Sequence, residues 1–222
     1  MDTASLRAYI KKLLPVSLHY KLANIKKSIT GYTSYSQFGE DAVLEEIFKD
    51  KKRGRYVDVG AHHPFRYSNT YLLFKRGWSG VNIDPNPDTI RDFNKARPQD
   101  TNIQVGVGKA GILTYHQFSD PAVNTFNEKE AEKWRGKDFL TYLGSTAVAV
   151  KPLSELVSGP IDLLTIDAEG MDLEVLESYD WEHYPSVVLI EGEDSRVFLE
   201  NKGYALHVVR GASRIYTRKI AV

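Results

Sequence analysis

Tyr56-Val57-Asp58-Val59-Gly60-Ala61 is the segment of this 222-residue chain that most directly indicates a fold class. Its β-branched and aromatic residues predict a short strand, and the small residues after Val59 predict a tight turn into a helix. From Arg55 onward, similar strand patterns alternate with helical ones, which is typical of a parallel sheet covered on both faces. We therefore predict an α/β fold that binds its ligand at the carboxyl ends of the strands.

The remaining elements predict a doubly wound, Rossmann-like sheet. Strands are predicted at 80–84, 102–107, 111–118, 146–150, 161–167 and 186–191, and helices at 69–76, 88–96, 153–157, 171–178 and 196–201. Residues 119–145 predict a long loop, which in a compact domain is usually functional. The segments 204–209 and 213–218 predict a terminal β-hairpin. A doubly wound sheet that ends in an antiparallel pair is the seven-stranded arrangement of many methyltransferases, whereas dinucleotide-binding folds continue in parallel.

Composition excludes several classes of function. The chain carries 29 basic and 29 acidic residues, so no overall charge favours nucleic acid as a partner. It has no cysteine, which excludes disulfides, thiolate metal sites and cysteine nucleophiles. No apolar run approaches the roughly 20 residues that span a bilayer, and no signal-peptide pattern opens the chain. We predict a soluble, cytoplasmic protein with one main domain, residues 36–222.

Residues 1–35 predict a basic amphipathic helical extension ahead of that domain. Before residue 35, six lysines and arginines are accompanied by a single acid, Asp2. Apolar residues recur at helical spacing on either side of Pro15, which predicts two short helices. We favour a helical lid that packs on its own domain, because the apolar stripe is narrow and lacks Trp or Phe. Contact of residues 1–30 with a membrane surface or a partner protein is the alternative.

Small and acidic residues end the first two predicted strands. Gly60 and Ala61 let backbone amides approach a ligand closely, although a plain turn before a helix would use the same residues. Asp84 follows Asp58 at about the distance at which Rossmann-type domains place an acid on ribose hydroxyls, and it can also cap the next helix. The G-x-G-x-x-G loop that holds a pyrophosphate is missing. Because S-adenosylmethionine contains no pyrophosphate, this favours it over NAD as the cofactor.

Carboxylates also end two later strands. Asp167 terminates an apolar strand, Glu169 and Asp172 follow at the start of a helix, and Glu191 ends the next strand. Glu169 and Asp172 fit helix capping, because acids stabilise the first turn. Asp167 and Glu191 fit a base acting on a hydroxyl, or ligands for magnesium, calcium or manganese, and no spacing in the sequence decides between these roles.

Two histidines, His62 and His63, follow Ala61 at the mouth of the same predicted cleft. Histidine transfers protons near neutral pH, so His63 is a candidate general base. Its imidazole would equally serve to order Ser68-Asn69-Thr70 by hydrogen bonding.

Taken together and in this order, the motifs resemble the FkbM family of S-adenosylmethionine-dependent methyltransferases over residues 36–191. The resemblance rests on Ser36-Gln37-Phe38-Gly39-Glu40-Asp41, Val57-Asp58-Val59-Gly60-Ala61-His62-His63-Pro64, Ser68-Asn69-Thr70-Tyr71, Asn82-Ile83-Asp84-Pro85-Asn86, Asn124-Thr125-Phe126 and Asp167-Ala168-Glu169-Gly170-Met171-Asp172. It implies a class I methyltransferase fold, S-adenosylmethionine as donor, and O-methylation of a hydroxyl on a sugar, polysaccharide or related metabolite.

The resemblance also implies roles for individual residues. It places at the cofactor Gln37, Glu40, Asp58, Gly60, Ala61, His62, Asp84, Gly106, Val107 and Asp167. Gly60 and Ala61 would contact the methionine portion, Asp84 the ribose, and Gly106-Val107 the adenine edge, while Gln37 and Glu40 would close the pocket. The Asn124-Thr125-Phe126 loop would face the acceptor, where Phe126, Trp134 and Tyr142 can stack on a sugar ring.

We predict an O-methyltransferase of glycan biosynthesis in which Asp167, with Glu169, Glu191 or His63, orients and deprotonates the acceptor hydroxyl. N-methylation of an amino sugar or amine is the alternative reaction. A non-catalytic module that binds a nucleotide or a glycan within a biosynthetic complex is the alternative class of protein, and the intact set of strand-end residues disfavours it.

Overall fold

The computed structural model describes residues 34–218. Contacts divide the chain into two units, Met1–Ser34 and Tyr35–Val222, and all but one of the described residues belong to the second. The helical extension predicted for residues 1–35 lies outside the described residues except for its last two, so it stays a prediction. In the described part of the chain, no helix has the length and apolar character needed to cross a bilayer.

Residues 34–218 form ten strands and seven α-helices. The strands are β1 (Arg55–Val59), β2 (Ser79–Asp84), β3 (Thr101–Gln104), β4 (Gly106–Val107), β5 (Gly111–Phe118), β6 (Tyr142–Lys151), β7 (Leu163–Ile166), β8 (Val187–Glu191), β9 (Tyr204–Arg210) and β10 (Ser213–Arg218). The helices are α1 (Glu40–Ile47), α2 (Tyr71–Lys75), α3 (Pro87–Ala96), α4 (Glu128–Arg135), α5 (Leu153–Leu156), α6 (Asp172–Glu177) and α7 (Arg196–Asn201), with a 3-10 helix at Pro121–Val123.

Seven strands form the main sheet, in the order β3-β2-β1-β7-β8-β10-β9. The first five are parallel, and β10 runs antiparallel to both β8 and β9. The predicted seven-stranded doubly wound sheet with a C-terminal antiparallel hairpin is therefore confirmed. The chain moves outward from β1 through β2 and β3, then returns to β7 on the other side of β1. The carboxyl ends of β1 and β7 thus form the topological switch point, where open α/β sheets bind ligands.

Apolar clusters cover both faces of this sheet. Val57 and Val59 of β1 pack into one cluster, while Tyr56 packs into the other with Trp78 and Leu163. Most of these side chains have no exposed surface, and burying a side chain of this size contributes roughly 1.5–3 kcal/mol. The strand ends that carry the candidate site are therefore fixed in position by the core on either side.

Two predicted elements between β3 and β7 were wrong. The strand predicted at 102–107 is interrupted at Val105, because β3 stays in the main sheet while β4 pairs with β6 in a three-stranded sheet of order β4-β6-β5. The loop predicted at 119–145 contains the 3-10 helix, α4 and the start of β6. Only Ala131 of α4 is buried, so this helix has no apolar periodicity. Asn127 caps this helix, since its side chain accepts two backbone N–H groups.

Candidate active site

Gly60 brings the ends of β1 and β7 into backbone contact. Its φ of 73° is in the left-handed region, and a Cβ built on it would lie 1.8 Å from the Asp167 carbonyl oxygen. The backbone N–H groups of Gly60 and Ala61 both donate to Ile83 O, at 3.0 and 3.2 Å. These two amides therefore join neighbouring strands, where the sequence predicted that they approach a ligand. The glycine is needed because no side chain fits between the strand ends.

Asp84, the last residue of β2, contacts the loop that follows β1. It is 7% exposed, and its two carboxylate oxygens accept the backbone N–H of His62 at 3.0 Å and of Asn86 at 2.8 Å. Burial raises the pKa of Asp84 to about 6, although both hydrogen bonds favour the ionised form. A carboxylate has about four lone-pair positions, so two remain for outside donors. This geometry fits the predicted contact with ribose hydroxyls.

Asp58, predicted at the cofactor, forms hydrogen bonds to threonine side chains within the protein. Its carboxylate accepts Thr165 Oγ1 at 2.6 Å and Thr70 Oγ1 at 2.7 Å, and the residue is 5% exposed. Burial raises the pKa of Asp58, and the two hydroxyl donors oppose that rise. Asp58 thus ties β7 and the residues before α2 to the end of β1.

Arg97 forms hydrogen bonds to residues 64–70, in the loop that follows β1. The side chain has no exposed surface, and its guanidinium donates to Pro64 O, to Ser68 Oγ at 2.8 Å and to Thr70 Oγ1 at 2.8 Å. The rings of Tyr71, Phe74 and Phe93 lie 5.0–5.2 Å from its central carbon. The three acceptors are neutral, so Arg97 forms no ion pair with them. Its hydrogen bonds to all three fix the shape of the loop between residues 64 and 70.

His63, a candidate base, is turned toward its own backbone. Its Nδ1 accepts the N–H groups of Phe65 at 3.3 Å and Arg66 at 3.1 Å. Burial, followed by the charge of Arg66, lowers the pKa of His63 to about 4. With Nδ1 engaged, the neutral ring carries its proton on Nε2 and has no lone pair for a substrate proton. The imidazole orders residues 65 and 66, a stretch just before the predicted Ser68-Asn69-Thr70.

The carboxyl groups of Asp167, Glu169 and Glu191 meet at the switch point. One ligand oxygen from each lies within 4.8 Å of the other two. Asp167 follows β7 directly and is exposed. Desolvation is the largest cause of a pKa well above the usual range for Asp167, and the charge of Glu191 is the next. A hydrogen bond between Asp167 and Glu191 adds to the rise in the pKa of Asp167.

The turn that carries Glu169 is held by the loop that was predicted to face the acceptor. Glu169 has a φ of 47° and Gly170 a φ of 92°, both in the left-handed region. Thr125 Oγ1 donates to Glu169 O at 2.8 Å, and Asn127 Nδ2 donates to Gly170 O at 3.2 Å. The Asp172 carboxylate accepts the N–H of Gly170 at 3.3 Å from the other side. The carboxylate cluster therefore depends on contacts from both of these flanking segments.

The predicted aromatic contacts fall into two groups. Phe126 packs on Tyr115 with ring centres 4.8 Å apart, and it lies against Gly106, where a Cβ would be 2.8 Å from its ring. Tyr142 instead belongs to a cluster on the small sheet, with Arg135 4.5 Å from its ring centre. Trp134 is half-buried on α4. The structure thus brings Phe126 to the predicted adenine side and leaves Tyr142 covered on one face.

Gln37 and Glu40 precede the sheet and differ in environment. Gln37 is exposed, whereas Glu40 is buried and accepts the N–H of Phe38 at 2.7 Å and the hydroxyl of Ser213 at 3.1 Å. Glu40 thus joins the start of α1 to β10. Their predicted role in closing the cofactor pocket stays a prediction.

The family model described as the Methyltransferase FkbM domain matches residues 58–208, more than half of the chain. The chain belongs to the FkbM methyltransferase family. The match spans the switch point and every carboxylate described above, apart from Glu40. A search of curated proteins found no match.

Several solved structures are similar to this family member in fold. They include an FkbM methyltransferase from Methylobacillus flagellatus, 16% identical with a TM-score of 0.45, over 75% of this chain and 44% of that one. A methyltransferase from Geobacter sulfurreducens is 14% identical with a TM-score of 0.47, over 99% of each chain. An O-methyltransferase from Bacillus cereus in complex with SAH is 10% identical with a TM-score of 0.43, over 97% of each. The chain spans less than half of the Methylobacillus protein.

The residues present fit S-adenosylmethionine, the cofactor expected for this family. Asp84 retains acceptor positions for ribose hydroxyls, and both ring nitrogens of His62 are buried without a hydrogen-bond partner in the described part of the chain. The acidic cluster also has the chemistry of a divalent-cation site, because Mg²⁺ and Ca²⁺ prefer carboxylate oxygens.

Sequence reasoning missed four residues of this site: Arg66, Arg97, Tyr115 and Thr125 as a support for Glu169. Tyr115 is buried, and the charges of Asp84 and Glu169 both add to the effect of burial in raising its pKa. No sequence spacing links Arg97 or Thr125 to their partners, which lie more than 25 residues away.

Proposed function

We propose that this family member is an S-adenosylmethionine-dependent O-methyltransferase that acts on a hydroxyl of a sugar, polysaccharide or related metabolite. The observation that carries the proposal is the close approach of the Asp167 and Glu191 carboxyl groups at neighbouring strand ends, beside the Gly60 turn. A hydroxyl acceptor must lose a proton as its oxygen is methylated. When both carboxyl groups are ionised, the charge of each raises the proton affinity of the other, so the pair suits a base that takes up the single proton released by the hydroxyl.

When bound, S-adenosylmethionine supplies its sulfonium methyl group and leaves as the neutral thioether SAH. The Asp84 carboxylate would accept hydrogen bonds from ribose hydroxyls and fix the position of the nucleoside. The Asp167–Glu191 pair would accept the hydroxyl proton as the new carbon–oxygen bond forms, and Glu169 would orient the same hydroxyl. Methyl transfer needs positioning above all, and well-oriented groups can contribute about 7–11 kcal/mol to lowering the barrier.

The Asp167, Glu169 and Glu191 cluster supports a second role in the same reaction, that of ligands for a divalent cation. A bound cation would polarise the acceptor hydroxyl and lower its pKa. Activity that is lost on exhaustive chelation and restored by Mg²⁺ or Mn²⁺ would support the cation. Activity unchanged by chelation would support the proton-accepting pair alone.

Labelled S-adenosylmethionine should be incubated with glycan fractions of the host, followed by mass spectrometry of the labelled sugar. We expect transfer of the methyl group to an oxygen, and a decrease of at least about 100-fold for Asp167→Asn at neutral pH. Asp162→Asn, a change at the opposite end of β7, is the matched control for activity. If Asp167→Asn retains activity at high pH and the product is an amine, the acceptor is a nitrogen. Absence of S-adenosylmethionine binding in calorimetry would contradict the proposal as a whole.

A further inference from the structure

His62 and Arg66 carry three buried nitrogens that no described residue satisfies. These atoms are Nδ1 and Nε2 of His62 and Nε of Arg66. Within residues 34–218 the Arg66 guanidinium also has no ion-pair partner, and its central carbon lies 5.8 Å from the centre of the Tyr67 ring. Buried donors without acceptors lose hydration and gain nothing in return, so native structures rarely keep them unless a ligand supplies the acceptor.

The two side chains lie next to the site already described. The His62 N–H donates to the Asp84 carboxylate at 3.0 Å, and the His62 carbonyl accepts Thr89 Oγ1 at 3.1 Å. The His62 ring is stacked on that of Tyr67 with centres 6.4 Å apart. His62 and Tyr67 both have positive φ, 53° and 56°, and strained backbone of this kind is concentrated at ligand clamps. The loop thus holds both side chains beside the predicted nucleoside position.

The charges around this pocket favour an anion. Burial, and then the positive charge of Arg66, lower the pKa of His62 to about 4, so its ring is neutral at pH 7 and offers one N–H donor. Arg66 supplies a full positive charge with several donors. The charge of Asp120, just before the 3-10 helix, opposes this effect at His62. A planar oxyanion would pair with the guanidinium fork and accept the imidazole N–H.

We propose that His62 and Arg66 form an oxyanion pocket that binds a carboxylate or a group of similar charge. Two sources of this chemistry reach the cleft. One is the amino-acid carboxylate of S-adenosylmethionine, in which case the proposal rests on the cofactor of the proposed function. The other is an acidic group on the acceptor, such as a uronic acid carboxylate or a sugar phosphate, which would narrow the acceptor class to anionic glycans.

Calorimetry with two nucleosides tests the first source. SAH has the carboxylate, whereas 5′-methylthioadenosine has the same adenosine and sulfur without the amino-acid end. We expect Arg66→Gln to weaken SAH binding about 10- to 100-fold and to leave 5′-methylthioadenosine binding unchanged, because it removes a charge-assisted hydrogen bond. Asp120→Asn should strengthen SAH binding alone. Arg91→Gln, which removes an exposed arginine on α3, is the matched control.

Titration with inorganic phosphate, with 5′-methylthioadenosine present, tests the second source. If SAH binding does not depend on Arg66, we expect phosphate to bind the natural chain and not Arg66→Gln. If the natural chain binds neither nucleoside, the proposed cofactor is contradicted. Phosphate would then be titrated without a nucleoside, and binding that depends on Arg66 would still support the oxyanion pocket. The pocket is overturned if Arg66→Gln affects both nucleosides equally or neither of them, and phosphate binding shows no dependence on Arg66.

Discussion

The hydroxyl of Thr125 donates to the carbonyl oxygen of Glu169 at 2.8 Å, across 44 residues of sequence. The same hydroxyl oxygen accepts the N–H of Asn127 at 2.8 Å. Glu169 stays in the left-handed region, which costs a residue with a side chain roughly 1–3 kcal/mol and persists only where neighbours hold it. Thr125 is therefore a positioning residue for the carboxylate cluster, acting through the backbone of Glu169.

Thr125→Val should release the turn that carries Glu169, because valine keeps the shape and removes the donor. We expect faster amide hydrogen exchange in residues 168–171, a roughly tenfold decrease in kcat and an unchanged Kd for SAH. Thr125→Ser retains the hydroxyl and should restore both exchange and rate. Thr146→Val, at an exposed position of β6, is the control for a valine substitution. Equal exchange in Thr125→Val and the natural chain would contradict the role of Thr125.

Gly60→Ala should destabilise the domain far more than the cost of placing alanine at a positive φ. The new Cβ would lie 1.8 Å from Asp167 O, so the ends of β1 and β7 must separate. We expect a loss of at least about 4 kcal/mol in the free energy of unfolding, measured by urea denaturation. Gly203→Ala is the matched control, because Gly203 has a φ of 87° with no atom within 4 Å of the added Cβ. That variant should lose about 1–2 kcal/mol, the cost of the left-handed conformation. Similar losses in both variants would show that the clash with Asp167 O adds nothing to the loss in free energy of unfolding.

The strand ends could be predicted from sequence because the signals are local. Asp84 and Asp167 follow apolar runs, and parallel strands bring such residues to one edge of a sheet. The terminal hairpin was equally visible, since Arg210-Gly211-Ala212 separates two alternating segments. These features required only residue types and their order along the chain.

The support of the site could not be predicted in this way. Arg97 binds Pro64 and Ser68, and Thr125 binds Glu169, through contacts that only the folded chain creates. The engagement of the Gly60 amide by Ile83 O likewise depends on the exact register of β1 and β2. The polar helix α4 was missed because it lacks apolar periodicity. Sequence patterns therefore pointed to the candidate site residues, while the contacts that orient them came from the structure.

Cofactor binding should weaken in mild acid because of Asp84. Burial raises the pKa of Asp84 to about 6, and a protonated carboxyl group is a poorer acceptor for ribose hydroxyls. We expect the affinity for SAH to be constant above pH 7 and to decrease by up to about tenfold per pH unit below 6. Asp84→Asn should bind more weakly at pH 8 and show a flatter profile. Asp172, whose pKa burial also raises to about 6, provides the control, since Asp172→Asn should retain the natural profile.

The raised pKa of Asp84 also predicts how the stability of the folded chain depends on pH. The pKa of Asp84 in the folded chain is higher than the ordinary value near 4, so between about pH 4 and 6 the folded chain binds more protons than the unfolded one. The contribution of Asp84 to stability must then decrease as the pH rises through this window. Urea denaturation at pH 4.5 and 6.5 should show this decrease for the natural chain and a smaller one for Asp84→Asn. An identical pH dependence in the two proteins would show that Asp84 does not titrate in this range.

Arg97→Met should disrupt the loop that carries His62 and Arg66. The substitution keeps much of the aliphatic volume but leaves Pro64 O, Ser68 Oγ and Thr70 Oγ1 without their donor in a fully buried position. We expect a loss of about 3–5 kcal/mol in unfolding free energy, as when one partner of a buried polar network is removed. Arg97→Lys keeps the charge but cannot reach all three acceptors, so its loss should be intermediate and its SAH affinity lower than that of the natural chain. Arg53→Met, at an exposed position before β1, controls for the loss of an arginine. If Arg97→Lys bound SAH with the natural affinity, the loop would keep its shape without the guanidinium fork, and its order would have to come from His63 and from the contact between Asp58 and Thr70.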